Sequence, residues 1–195
     1  MRVVPWWGVV SSAVAPVLLV GGWTVAAGLQ PRPFNAVSGT ISSLAAVGAA
    51  DRWVMTLALL AVATCDVITG LALRPAATPG RLTLIAGGMS GLLVAANPEP
   101  PSGGSLEHAF WAMCGFLALA AWPVGGRRQG LLVPYGLRPA VASVATGILL
   151  GLLVWFGAEL ITRGGQVGLA ERVLTGAQAA WPLAVVLTCL NAQWR

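Results

Sequence analysis

The sequence predicts an all-α, polytopic membrane protein. It reads as a compact bundle of six transmembrane helices, with a short interfacial helix between the first and the second. Three observations lead there. Apolar residues form 57% of the 195 positions and charged residues only 9%. A soluble domain carries roughly 25% charged residues, so so few charges cannot solvate its surface. The apolar residues gather in runs of the length a bilayer demands, roughly 17–25 residues per helical span. These runs are continuous and rich in Leu and Ala, whereas a transmembrane barrel needs short alternating strands.

Six runs qualify, and the chain reads as one transmembrane domain over residues 1–195 with spans at about 6–28, 53–73, 82–96, 106–124, 140–158 and 173–190. The first starts at Trp6-Trp7. Arg2 ahead of it and Thr24-Val25-Ala26-Ala27 near its end give it some likeness to a signal peptide. The run exceeds the roughly 7–15 apolar residues of a signal core, so it is expected to stay as a span. Asp51 stands ready to cap the second. Thr78-Pro79 ahead of the third offers an N-cap followed by proline at the first helical position. Ser105 can cap the fourth, with Glu107 in its first turn, where the helix dipole favours an acid. Arg138-Pro139 opens the fifth, and Glu171 is expected in the first turn of the sixth.

The segment from Gln30 to Trp53 is too long and too apolar for a turn. Ser38 to Val47 is expected to form a short amphipathic helix, with Ser38 and Ser42 on one edge and Asn35 just before it. Trp6, Trp7, Trp53, Trp122, Trp155 and Trp194 lie near run ends, as interfacial aromatic anchors do. Gly87-x-x-x-Gly91 and Gly147-x-x-x-Gly151 match the small-residue motif that lets helices approach closely, and both are expected to pack inside the bundle.

With six spans, Arg2, Arg74, Arg81, Arg127, Arg128, Arg138 and Arg195 fall on one side, against Arg32, Arg52, Arg163 and Arg172 on the other. Cytoplasmic loops carry the excess of basic residues, so both termini are expected in the cytoplasm. Asp51, Glu99, Glu107, Glu159 and Glu171 then all lie on the outer side.

Several chemistries are excluded. Every basic residue is arginine, which rules out a lysine Schiff base and a P-loop lysine. The arginines are scattered at run ends and form no nucleic-acid stripe, despite a pI near 10.5. Cys65, Cys114 and Cys189 each sit in an apolar run without CxxC spacing and read as small buried hydrophobes. A lone histidine gives no bis-histidine haem and no zinc site of its own. No metal or cofactor is expected.

Polar groups are expensive in hydrocarbon, so their positions carry most of the functional information. Asp66 is the one acid inside a span, thirteen residues after Trp53 and so about 20 Å down the helix. At that depth it must be neutralised, reach a hydroxyl such as Thr69, or meet a cytoplasmic arginine. Every other candidate lies on the outer side. His108 and Glu171 are the acid–base candidates. Asn35, Ser38, Ser42, Arg52, Glu107 and Arg172 are the binding candidates, the arginines for an anionic headgroup. Glu107 and His108 are adjacent, diverge by about 100° on a helix and cannot pair directly.

Asn35, Ser38, Ile41-Ser42-Ser43-Leu44, Arg52-Trp53, His108 at the start of helix four, and Gly168-Leu-Ala-Glu171-Arg172 ahead of Trp181 occur here in a characteristic order. In that order the chain resembles the bacterial membrane family called domain of unknown function nine-ninety-eight. The resemblance implies a compact bundle of about six helices and no established activity. Two functions follow from the residues. One is a membrane subunit that binds a lipid or a hydrophobic small molecule in an outward-facing polar pocket, alone or with a partner membrane protein. The other is an intramembrane enzyme doing acid–base chemistry on a lipid or isoprenoid-type substrate.

Overall fold

The structure is a computed structural model that describes residues 3–102 and 104–193; Arg2, Trp194 and Arg195 lie outside the described residues. Its elements are α1 (Trp6–Gly28), α2 (Ile41–Ala45), α3 (Trp53–Ala72), α4 (Thr78–Ala96), α5 (Leu106–Gly126), a single 3₁₀ turn (Tyr135–Leu137), α6 (Pro139–Thr162) and α7 (Val167–Gln193). All but α2 and the 3₁₀ turn are long and apolar enough to cross a membrane. The short α2 sits where an interfacial helix was expected, reduced to five residues.

The helix ends show which local signals operate. Ser105 caps α5 by accepting from His108 N at 3.2 Å. Pro139 occupies the first turn of α6, where its missing N–H costs nothing. Two expected caps fail. Thr78 is already helical, the N-cap is Ala77, and no side chain caps α4. Asp51 sits one position too early, at φ 46°, with Arg52 as the α3 N-cap. The expected span boundaries were also short at several ends: α4 begins at Thr78 rather than Leu82, and α7 at Val167 rather than Val173. Apolar runs mark the hydrocarbon, whereas a helix continues beyond it wherever its backbone bonds are satisfied.

The six long helices form a closed ring in chain order: α1 packs on α3, α3 on α4, α4 on α5, α5 on α6, α6 on α7, and α7 back on α1. A ring of this kind has a lumen. At one end α2 enters it, and Ile41 and Leu44 pack with Leu19, Ala26, Met55 and Ala179. At the other end Trp122, Leu73, Leu84, Leu137, Val185 and Val186 close it. Trp122 is 0% exposed, which corrects its expected place as an interfacial anchor; residues 123–126 carry α5 one turn further and leave the ring inside the packed core. Trp6 and Trp53 do face outward, at 76% and 61% exposure.

The small-residue motifs divide. Gly87 lies against Leu119 of α5 and Gly91 against Ala63 of α3, inside the ring. Gly147 and Gly151 face open space on α6, contrary to expectation, because the face of α6 that carries them turns away from both of its neighbours. The closest helix approach is at Gly80, whose missing side chain leaves room for the backbone of Gly125 and Gly126. Replacing Gly80 by alanine should therefore lower the unfolding midpoint in detergent, a cost of about 1–3 kcal/mol for overpacking. Gly147→Ala, with nothing to strike, should leave the midpoint unchanged or raise it.

Candidate functional site

The site is assembled where α2 meets the first turns of α5 and α7. The Ser105 cap sets the start of α5 so that His108 turns inward and is buried, at 5% exposure. Its Nδ1 lies 2.9 Å from the Asn97 carbonyl oxygen. A carbonyl only accepts, so Nδ1 carries the ring proton, and in the neutral ring Nε2 accepts. Nε2 is 3.1 Å from Ser42 Oγ and 3.7 Å from Glu99 Oε1. Ser42 stands in the first turn of α2, whose entry is fixed by Thr40 Oγ1 accepting from Ser43 N at 3.1 Å. Ser42 Oγ also lies 3.4 Å from Glu171 Oε1, so its single proton goes either to His108 Nε2 or to Glu171. Ser42 is thus the link between the two acid–base candidates.

Glu171 is 3% exposed. Its Oε2 accepts a hydrogen bond from Ile41 N, so a carboxylate from α7 satisfies an amide that the first turn of α2 leaves free. It was expected in the first turn of its helix; because α7 begins at Val167, it lies one turn further in. The start of α7 is held by close backbone contact. Leu169 N donates to Val37 O at 2.9 Å, and Gly168 lies so near the Gly39 carbonyl that no side chain fits. Arg172 Nη1 donates to the carbonyls of Gly39 at 2.7 Å, Ala36 at 2.8 Å and Gly168 at 2.9 Å. Its guanidinium also lies over Phe34 and Trp23, 5.6 and 5.8 Å from their ring centres. Arg172 therefore fastens the loop to α7.

The other expected site residues lie elsewhere. Arg52 stacks on its neighbour Trp53, 4.3 Å from the ring centre, and joins neither His108 nor Glu171. Asn35 is exposed and folds back on its own loop, its Oδ1 accepting from Val37 N at 2.9 Å. Ser38 is exposed in a turn ahead of α2 rather than on its edge, and Glu107 is exposed where its neighbour His108 is buried.

Below this cluster a cavity of about 110 Å³ occupies the lumen. Its wall is apolar, with Leu19, Leu59, Val62, Trp111 and Phe116 among the lining side chains. Ser42 and Glu171 line it together with Thr175, Gln178 and Asp66. Gln178 is two turns along α7 from Glu171, about 10 Å deeper. Its Nε2 donates to Phe116 O at 2.9 Å, and its buried Oε1 has no partner. Asp66 is 5% exposed and has no hydrogen-bonded or ion-paired partner among the described residues. Thr69, the hydroxyl that the sequence suggested, and Arg81, one of the arginines on the expected cytoplasmic side, are engaged elsewhere. Thr69 Oγ1 pairs with Ser11 Oγ at 2.8 Å, and Arg81 donates to the Gly70 and Leu71 carbonyls at 3.0 and 2.8 Å, closing the end of α3.

Gln178 was not singled out from sequence. The signal was present: a long polar side chain within an apolar run, the same reason that marked Asp66. The Asn97 carbonyl and the approach of Glu99 leave no such trace, since a loop backbone conformation creates both.

Residues 13–188 match the model of a family described as a protein of unknown function, DUF998. The chain belongs to the DUF998 family. The match begins within α1 and ends within α7, and so takes in Ser42, Asp66, His108, Glu171 and Gln178 of this DUF998 protein. No curated protein and no solved structure matches it.

Proposed function

We propose that this DUF998 protein binds a hydrophobic ligand, a membrane lipid chain or a hydrophobic small molecule, in the lumen of its helix ring. The observation that carries the reading is the lumen cavity itself. Its wall is apolar and its polar groups are few and convergent, the usual make-up of a small-molecule site. The arginine distribution supports an orientation with the Ser42–His108–Glu171 end outside and both termini in the cytoplasm; a green fluorescent protein fused to the carboxyl end should then fluoresce, and a dark fusion with full expression contradicts that orientation. The cavity is tested by filling it. Ala112 lines it from α5. The purified protein should carry bound lipid or another hydrophobic molecule in native mass spectrometry, and Ala112→Phe should lose it while the unfolding midpoint stays within a few degrees. A wild-type protein free of bound molecules, and unresponsive to added lipids and hydrophobic compounds, would contradict the reading.

The Ser42–His108 geometry supports a second reading, an intramembrane enzyme acting on a lipid ester. A hydroxyl within reach of an imidazole whose other nitrogen is oriented by a third group is the arrangement of an activated nucleophile. Ser42 Oγ would attack the acyl carbonyl while His108 Nε2 takes the hydroxyl proton and then delivers it to the departing alcohol. Water would release the acid by the reverse proton route. A fluorophosphonate probe should then label Ser42, with labelling lost in His108→Ala. An unlabelled Ser42 in folded protein counts against this reading and leaves ligand binding untouched.

A further inference from the structure

The cavity wall carries hydrogen-bond acceptors, and no cationic side chain among the described residues lines it. Asp66 and Glu171 both line it. Gln178 adds an amide oxygen whose orientation is settled by chemistry: the Phe116 carbonyl only accepts, so the amide nitrogen faces it and Oε1 is left free. The chain has no lysine. Arg172, next to Glu171 in sequence, gives its Nη1 hydrogens to three carbonyls of the α7 start and the loop; its buried Nη2 has no partner, but the residue does not line the cavity. Arg81, closest in sequence to the lower cavity, is bound to the end of α3. His108 lies behind Ser42 and is not part of the cavity wall. Glu171 is answered by Ile41 N, with Ser42 Oγ nearby, whereas the buried Gln178 oxygen has no partner and Asp66 makes no hydrogen bond or ion pair among the described residues.

We infer that the ligand of this cavity is a lipophilic amine, bound as its ammonium form. The inference rests on the hydrophobic-ligand reading above and names the class of ligand. Two nearly buried acceptors without partners, one of them a carboxyl group, leave room for a donor that brings a positive charge with it. A buried carboxylate is stabilised when it is paired and hydrogen-bonded and is very costly otherwise. The aromatic part of the wall, Trp111 and Phe116, suits the same ligand, since a cation is attracted to the face of an aromatic ring. The volume, about 110 Å³, is of the order of a cavity that accepts one aromatic ring. The ligand, or the part of it that enters, is therefore a single ring or short branched chain carrying an N–H⁺ group.

Two compounds of nearly the same shape test this on the full chain in detergent, titrated calorimetrically against protein-free micelles. They are benzyldimethylamine, protonated at neutral pH, and isobutylbenzene, which has a C–H in place of N–H⁺. The ammonium compound should bind about tenfold more tightly or better, the discrimination a charge-assisted hydrogen bond provides. Asp66→Asn should abolish that preference while leaving isobutylbenzene binding unchanged, which also shows the variant to be folded. Equal or better binding of the hydrocarbon, or an ammonium preference that survives Asp66→Asn, overturns the amine assignment and leaves the hydrophobic-ligand reading standing. If neither compound binds, and the copurification test above is also negative, both fail together.

Discussion

Alanine in place of Glu171 should destabilise the protein by about 2 kcal/mol and release α2 from the lumen. The carboxylate is the acceptor for Ile41 N, and Ile41 is itself only 2% exposed. Removing the acceptor leaves a buried amide unsatisfied, which costs about 1–3 kcal/mol. A five-residue helix cannot sustain itself without such tertiary support. Glu171→Gln keeps an oxygen for the Ile41 amide and should retain most of the stability. Hydrogen exchange checks the mechanism: the amides of residues 41–45 should exchange much faster in the alanine variant than in the glutamine variant, with α3 and α4 unaffected. Uniformly faster exchange across the ring would mean that Glu171 supports the whole bundle. Unchanged exchange would mean that α2 is held by Leu44 and Ile41 packing alone.

Trp122→Ala should be the most damaging single core substitution, at about 3–5 kcal/mol. The indole is fully buried against Leu73, Leu84, Leu137 and Val185 at the end of the ring opposite α2. Lipid tails are as apolar as this core, so transfer out of water explains little of its worth; the loss is one of packing contacts. The Nε1–H of Trp122 is buried without a partner. Trp122→Phe removes that unsatisfied donor and keeps most of the contacts, so it should cost less than about 1.5 kcal/mol. Detergent unfolding midpoints of the two variants separate the contributions. A phenylalanine variant as unstable as the alanine one would show that the indole nitrogen is satisfied in the membrane.

Both predictions concern residues that the sequence marked for other reasons. Glu171 stood out as an outer acid expected in the first turn of its helix and as an acid–base candidate. Its position one turn inside α7 gives it a different task, holding the amide of a separate helix. Trp122 stood out as an interfacial anchor because it ends an apolar run. Run ends mark depth along a helix and carry no information about which face looks inward. Asp66 was legible as anomalous in sequence, because a carboxyl group within an apolar run is costly in any fold. That Thr69 would pair with Ser11 was not legible, since packing alone brings the two together.

What the sequence by itself determined is the class of architecture: six apolar helices, their order, their polar ends and the scarcity of ionisable groups. All of these follow from the one-dimensional requirement that backbone and side chains be compatible with hydrocarbon. Only the tertiary structure decided that the helices close into a ring in chain order, that α2 enters its end, and that Ser42 stands between His108 and Glu171 above a cavity. In a bilayer every outward face is apolar whichever neighbour a helix takes, so hydropathy does not select the pairing. Side-chain volumes, close glycine contacts and a handful of hydrogen bonds do, and these exist only once the helices have met.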